Sequence, residues 1–359
     1  MKNIRLLIIF SVLSLVITAN AQTVFYDASN FPLSGKISNA TETRYERLPA
    51  KLNGVARKPV WDLGKNTAGL YIRFSSDAQQ ISVRWETLKD ASMNHMAFTG
   101  IKGMDLYSLE NNEWKYMNTA RPTAKTTETV IISNLEKKER ELMLYLPLYD
   151  GVVSIEIGID SLASIGQPKV DLPRRTKPIV AYGSSILQGG CASRTGMAHT
   201  NILSRKLNCT VINLGFSGNA LLDYEIAELM AECDASVYLL DFMPNVSVEQ
   251  ITEKAERFYR ILRNKRPNTP IVFIENPIYP HTIFDMSLKN TVQEKNKALH
   301  TVYNRLKENK EKNIRMIPSP GMIGEDGEAT VDGFHFTDLG FLRYADYLFP
   351  VIQEIINKP

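Results

Sequence analysis

The sequence predicts two joined units of different class. The first, residues 22–165, reads as an all-β sandwich or jelly roll, and the second, residues 177–359, as α/β, an open parallel sheet with helices on both faces. Three observations predict this. Apolar residues alternate with period two through the first half, strand-like and helix-like stretches alternate through the second, and a proline-rich basic break lies between them.

Ahead of both units, "MKNIRLLIIFSVLSLVITANAQT" has a basic start at Lys2 and Arg5, an apolar run from Leu6 to Ile17 and the small-x-small signal Ala19-Asn20-Ala21. That run is short for a bilayer span but suits a secretory signal peptide over residues 1–21. The expected product is therefore secreted or periplasmic, with no membrane attachment after cleavage. The formal net charge is +3 and the leader carries two of the positive charges, so the remaining chain is close to neutral. Such a balance gives no footing for a nucleic-acid partner.

The sandwich strands are read in order as "GLYIRFS", "ISVRWE", "MDLYSLE", "EWKYMN", "ETVIISN", "ELMLYLP" and "VVSIEIGI", separated by Asn, Gly, Asp, Ser or Lys clusters. Short alternating segments at this density predict antiparallel sheets, and no helical pattern stands out among them. Trp61, Trp85 and Trp114 fall in this half, where a tryptophan on an alternating strand is first a core residue. The run "GQPKVDLPRRTKP" holds three prolines and four basic residues. It predicts an interdomain linker over residues 166–176.

In the second half "PIVAYG", "TVINLG", "ASVYLLDF", "PIVFIEN" and "NIRMIPS" read as buried parallel strands. Between them, "DYEIAELMAE" and "VEQITEKAERFYRILRNK" are amphipathic; in the latter Ile251, Ala255, Phe258, Ile261 and Leu262 keep helical spacing. The closing "TDLGFLRYADYLFPVIQEIINK" predicts a helix capped by Thr337 and kinked or divided at Pro350.

This layout gathers polar residues at one edge. Ser184 and Ser185 follow the first strand of the α/β unit, Asn213, Gly215, Ser217, Gly218 and Asn219 the second, and Asp241 and Asn245 the third. Asp332, His335 and Asp338 sit in the loop before the last helix. The carboxyl ends of parallel strands are where such sheets build their sites. A serine hydroxyl needs an imidazole to take its proton and a carboxylate to orient that imidazole, and Asp332 and His335 are close enough for one turn to aim both. The backbone N–H groups of Ser185 and Gly218 and the Asn245 amide are available as oxyanion donors.

The blocks "YGSSI", "NLGFSGN", "MPN" and "DGFH", in this order, resemble those of the SGNH, or GDSL-like, hydrolase superfamily. The resemblance spans about Lys177 to Pro359 and implies a flavodoxin-like sheet. It implies Ser185 as nucleophile, Asp332 and His335 as its triad partners, and an oxyanion hole of Ser185, Gly218 and Asn245. The Gly-Asp-Ser-Leu block stands here as Gly183-Ser184-Ser185-Ile186, with serine in place of aspartate. "GMDLY" at residues 103–107, inside the sandwich, resembles a subgroup known from Bacteroidetes whose relatives include carbohydrate esterases. The implied activity is removal of O-acyl groups, O-acetyl above all, from carbohydrates, with no cofactor. An acylhydrolase or thioesterase of small non-sugar esters, or a non-catalytic carbohydrate-binding protein, are the alternatives.

Gln188 and Arg194 follow the nucleophile block closely and are candidate substrate contacts. Cys191 is a rival nucleophile, though its place in the loop favours a packing role. Cys191, Cys209 and Cys233 fit no zinc spacing, and the histidines form no HExxH or paired-ligand motif, so no metal site is expected.

Overall fold

The computed structural model describes residues 22–358, so the leader expected at residues 1–21 lies outside it. The first unit contains β1 (Thr23–Asp27), β2 (Leu33–Ser34), β3 (Tyr71–Ser76), β4 (Ile81–Thr87), β5 (Met104–Glu110), β6 (Glu113–Ala120), β7 (Thr126–Ile132), β8 (Arg140–Tyr145), β9 (Val152–Asp160) and β10 (Ile165–Gly166). These form two antiparallel sheets, ordered β1-β9-β4-β7 and β10-β3-β8-β5-β6, with β2 beside β3. Inward residues of both sheets, among them Ile72, Phe74, Val83, Trp85, Leu106 and Ile157, share one core. Period-two alternation is thus met by a sheet-on-sheet sandwich.

Two helices interrupt the strands, contrary to the sequence expectation: α1 (Lys58–Gly64) and α2 (Phe98–Ile101). Both are too short to display a 3.6-residue period. Moreover, the apolar residues around α1 serve a different core. Leu48, Leu52, Ala56, Val60 and Trp61 pack with one face of the second unit, and burying each large apolar side chain is worth about 1.5–3 kcal/mol. Trp85 is a sandwich core residue, whereas Trp114 is only partly buried and lies beneath the Arg73 guanidinium.

The expected linker does not run free. Lys169 and Val170 donate backbone N–H groups to the Glu141 carboxylate at 2.5 and 3.2 Å, and Arg73 donates to the Val170 carbonyl at 3.0 Å. Arg73 and Glu141 are themselves a buried ion pair at 2.9 Å. The proline-rich run is therefore laid along β3 and β8 by charge-assisted bonds that its composition alone does not reveal.

The second unit contains β11 (Arg175–Gly183), α3 (Ser185–Gln188), α4 (His199–Leu207), β12 (Cys209–Gly215), α5 (Tyr224–Glu232), β13 (Val237–Asp241), α6 (Val248–Lys265), β14 (Ile271–Ile274), α7 (Met286–Glu308), β15 (Ile314–Ile317) and α8 (Asp338–Asn357). Its five strands are parallel, in the order β12-β11-β13-β14-β15. That is the flavodoxin-like order, with a switch point where β11 lies between β12 and β13. Along β11, Val180 and Tyr182 enter the core beneath α5 and α6, while Ile179 and Ala181 enter the core beneath α4 and α8. Burial on both faces explains why these strands read as continuous apolar runs.

Thr337 caps α8, accepting from the Gly340 N–H at 3.2 Å. Pro350 does not divide the helix, which continues to Asn357. The proline sits on the solvent-exposed side, where water can satisfy the carbonyl that loses its partner. No described helix is long and apolar enough to cross a membrane.

Candidate active site

Gly183 ends β11, an interior strand of the sheet, paired with Gly215 on one side and Asp241 on the other. The chain turns directly into the single-turn α3. Ser184 is its N-cap, and its Oγ accepts from the Ile186 N–H at 3.3 Å. That hydroxyl is fully buried and committed to capping. Ser185, one residue on, lies 2.9 Å through its Oγ from Nε2 of His335. The geometry thus gives the two adjacent serines different partners, a helix cap for Ser184 and the His335 ring for Ser185.

His335 is held from behind. Asp332 Oδ1 accepts the N–H groups of Phe334 and His335 at 3.0 and 2.8 Å, and its Oδ2 lies 2.8 Å from His335 Nδ1. The same short loop therefore folds on its carboxylate and presents that carboxylate to the ring. Burial would push the Asp332 carboxyl up, but hydrogen bonds from the His335 ring and from these N–H groups outweigh it and hold it at about 2. An ionised carboxylate only accepts, so Nδ1 carries the ring proton and Nε2 accepts from the Ser185 hydroxyl.

The candidate oxyanion donors meet at the same place. Gly218 has φ +67°, and a Cβ there would point into open space; backbone of this kind favours glycine. Gly215 answers to a close approach, since a Cβ there would lie 2.3 Å from the Gln188 nitrogen. Asn245 accepts the Ala220 N–H through Oδ1 at 3.2 Å, which fixes its amide and leaves the NH2 for another acceptor. Among the described residues, the N–H groups of Ser185 and Gly218 have no backbone acceptor. Ser185, Gly218, Asn245 and His335 all line one cavity of about 340 Å³, with Tyr279 and Phe334 on its walls.

Two expected substrate contacts are placed elsewhere. Gln188 is wholly buried, donating to the Leu148 carbonyl at 3.1 Å and accepting the Ser217 N–H at 3.0 Å. It braces the loop that carries Gly218 against the sandwich. Gly189 takes φ +105° after α3, and Arg194 is carried to the sandwich instead of the cavity. There it donates to Asp105 Oδ2 at 2.6 Å and to the Tyr107 hydroxyl at 2.8 Å, and stacks on Tyr116. Asp105 also accepts the Gly196 N–H at 2.8 Å. "GMDLY" is therefore a clasp between the two units.

Other groups at this edge leave no sequence signal. Tyr149, from the loop after β8, donates to the Ser185 carbonyl at 3.1 Å. His95, also from the sandwich, sets its ring 5.4 Å from that of His335. Arg47 is buried and donates to the carbonyls of both Asn213 and Gly215 at 2.9 Å. Of the remaining candidates, Asn213 ties Leu187 and Thr200 together, and Asp338 accepts the Ser193 N–H at 2.9 Å. Asn276 reaches the cavity wall, whereas Glu275 turns away to Ser319 and His300.

Comparison with known proteins follows this geometry. Residues 176–353 match the GDSL-like Lipase/Acylhydrolase family, and residues 23–165 match the domain described as the N-terminus of Esterase_SGNH_hydro-type. A Bacteroides ovatus protein assigned as a GDSL-like lipase, known from its crystal structure, is 35% identical. The match has a TM-score of 0.89 and covers 93% of this chain and 98% of that one. The chain belongs to the GDSL-like lipase/acylhydrolase family. It is thus an ester hydrolase of SGNH type. The fold of this GDSL-like esterase is shared with the salicylyl-acyltransferase SsfX3 of a tetracycline biosynthetic pathway, at 16% identity and TM-score 0.73, over 91% of this chain and 95% of that one. It is shared also with a family two carbohydrate esterase from Clostridium thermocellum solved with cellohexaose, at 12% identity and TM-score 0.56, over 80% and 92%. No curated protein sequence matches the chain.

Cys191 lies beside the candidate triad of this GDSL-like esterase. Its thiol, His95 and His335 have ligand atoms within 4.8 Å of one another, the one such group among the described residues. A metal ion there would compete with Ser185 and Asp332 for the His335 ring. Burial, with the Asp332 charge adding to it, pushes the Cys191 thiol up to about 12, so it is no thiolate near neutral pH. Iodoacetamide at pH 7.5 is expected to leave esterase activity intact, and Cys191→Ala to keep it within a few-fold. Loss of activity in step with alkylation of Cys191 would contradict this.

Asp241 lies beneath the nucleophile turn, where its carbonyl accepts the Ser184 N–H at 3.3 Å. Burial raises its carboxyl to about 7. The native state holds this proton while an unfolded aspartate releases it near pH ~3.9. Stability therefore falls as pH rises between about 4 and 7 and does not recover above that window. Asp241→Asn is expected to stabilise the esterase by up to about 4 kcal/mol at pH 8 and by only about 1–2 kcal/mol at pH 5. Thermal melts at the two pH values check it, and an equal shift at both would contradict it.

Proposed function

We propose that this protein is an exported serine esterase that removes O-acyl groups, O-acetyl above all, from carbohydrates. The observation that carries the chemistry is the Ser185 Oγ to His335 Nε2 contact of 2.9 Å, continued from Nδ1 to Asp332 at 2.8 Å. Ser185 attacks the ester carbonyl and passes its proton to Nε2, while Asp332 stabilises the imidazolium that forms. The Ser185 and Gly218 N–H groups and the Asn245 amide receive the oxyanion. As the tetrahedral species collapses, His335 gives the proton to the departing alcohol, leaving acyl-Ser185. Water then attacks, His335 takes its proton, and collapse frees the acid while returning the proton to Ser185.

Support for a carbohydrate alcohol comes from the layout. A family two carbohydrate esterase solved with cellohexaose and an acetyl xylan esterase from Butyrivibrio proteoclasticus share this fold over 80% and 92% of the chain, at 12% identity. Acetate release from acetylated xylan and other acetylated glycans, measured beside turnover of acyl-CoA and medium-chain esters, tests the substrate class. Faster turnover of the glycans is expected, and a preference for the thioesters would reverse the reading. Export is tested by N-terminal sequencing of protein from the native cell. A start at Gln22 is expected, and retention of Lys2 would contradict it.

A further inference from the structure

The cavity over Ser185 has one long wall made by a single helix face. Leu288, Thr291, Val292 and Lys295 line it from α7 at spacings of three and four. Its other walls are mainly apolar or neutral: Ile186, Pro244, Tyr279, Phe334 and Asn276. Among the described residues, no aspartate or glutamate lines it, because Asp332 stands behind His335 and Glu275 faces Ser319 and His300. Among the described residues, Lys295 and His335 are the two basic side chains on its walls, and partial burial pushes the Lys295 ammonium down from the usual lysine range.

That ammonium is poorly partnered. It makes no ion pair with any described carboxylate, and its nearest protein acceptors are the Met243 and Pro244 carbonyls, both at 3.4 Å. Such distances exceed the normal range for N–H donors to oxygen of about 2.7–3.2 Å. Holding a cation half out of water against an apolar wall is unfavourable unless an anion meets it. The oxyanion donors already account for the negative charge that develops at the carbonyl, so a second, permanent negative charge is the natural complement for Lys295.

Building on the esterase reading above, we infer that Lys295 is a specificity residue that binds a carboxylate of the substrate, so that the preferred esters are acidic. Two sources of that carboxylate fit: a uronic acid in the glycan, or a dicarboxylic acyl group such as a hemisuccinate. Either places one anion on α7 while the ester carbonyl faces Ser185. Bonds to charged groups of this kind are worth about 10- to 100-fold in affinity.

The test measures kcat/KM for an acetylated galacturonic acid oligomer against an acetylated neutral xylo-oligomer, and for 4-nitrophenyl hemisuccinate against 4-nitrophenyl butyrate. At least one acidic member is expected to lead its neutral counterpart by about tenfold or more, mainly through KM, and to lose that lead at high salt. Lys295→Met is expected to bring the ratio near one and Lys295→Arg to keep most of it. A merely structural role, bracing the Met243–Pro244 carbonyls, would lower all four substrates alike, so an unchanged ratio in Lys295→Met overturns the inference. So does a wild-type ratio near one for both pairs. Calorimetry of galacturonic acid trimer against xylotriose reads the subsite without turnover. Tighter binding of the acidic trimer, lost in Lys295→Met, would uphold the subsite even if no ester were hydrolysed and no fluorophosphonate labelled Ser185, a result that would fell the esterase reading alone.

Discussion

Ser185→Ala is expected to lower kcat for ester hydrolysis by roughly four to six orders of magnitude, and His335→Ala by a similar factor. The two losses should not add. Nucleophile and base act as one unit, so the double variant is expected to be no slower than the worse single one. Residual rate would come from the Ser185 and Gly218 N–H groups and the Asn245 amide, which the substitutions leave in place. Ser185 is the first residue of α3, and the cap of that helix is Ser184, so removal of one hydroxyl leaves the turn supported. Melting temperatures should therefore stay close to that of the unaltered protein. Fluorophosphonate should form one adduct, at Ser185, in the unaltered protein and none in Ser185→Ala. Full activity in Ser185→Ala, or an adduct on Cys191 instead, would overturn the mechanism.

The proposed triad is legible in the sequence because the chemistry proposed for it restricts residue type and its blocks stand in order. Strand ends placed Ser185, Gly218 and Asn245 at one edge, and the Asp332–His335 spacing matched a loop that folds on its own carboxylate. Gln188 and Arg194 were misread for a physical reason: nearness in sequence to a nucleophile is not nearness to its cavity. The left-handed turn at Gly189 and the buried Asp105 carboxylate carry the chain into the domain interface. Strands were legible where alternation is regular. Residues 28–70 lack that alternation because their apolar side chains are divided between the sandwich core and the cores of the other half of the chain. Lys295 was invisible since a lysine in an amphipathic helix reads as a solvated face until the neighbouring loop covers it.

Arg47→Met should be the most destabilising single change outside the hydrophobic cores, at about 3–5 kcal/mol. The guanidinium is buried and donates to the carbonyls of Asn66, Asn213, Gly215 and Leu63 at 2.8, 2.9, 2.9 and 2.7 Å. It also lies 5.3 Å above the Phe216 ring. Burial lowers its pKa, yet a guanidinium stays protonated inside proteins. Methionine removes the desolvation penalty of the cation, which favours the variant. Against that, four carbonyls lose their donor in a place closed to water, each at about 1–3 kcal/mol, and this larger sum decides the sign. Lysine is no rescue, since a compact ammonium cannot span four acceptors arranged around a planar fork. Two of those carbonyls belong to β12, three residues or fewer before the loop that carries Gly218. Arg47→Met should consequently lower kcat on a neutral ester more than it raises KM, because misplaced oxyanion donors weaken the transition state more than the bound substrate. Urea unfolding together with kinetics below the transition would test both effects. An unchanged midpoint would show that the units hold together without this residue. A lowered midpoint with unaltered kcat would show that the Gly218 loop is positioned by Gln188 and Asn213 alone.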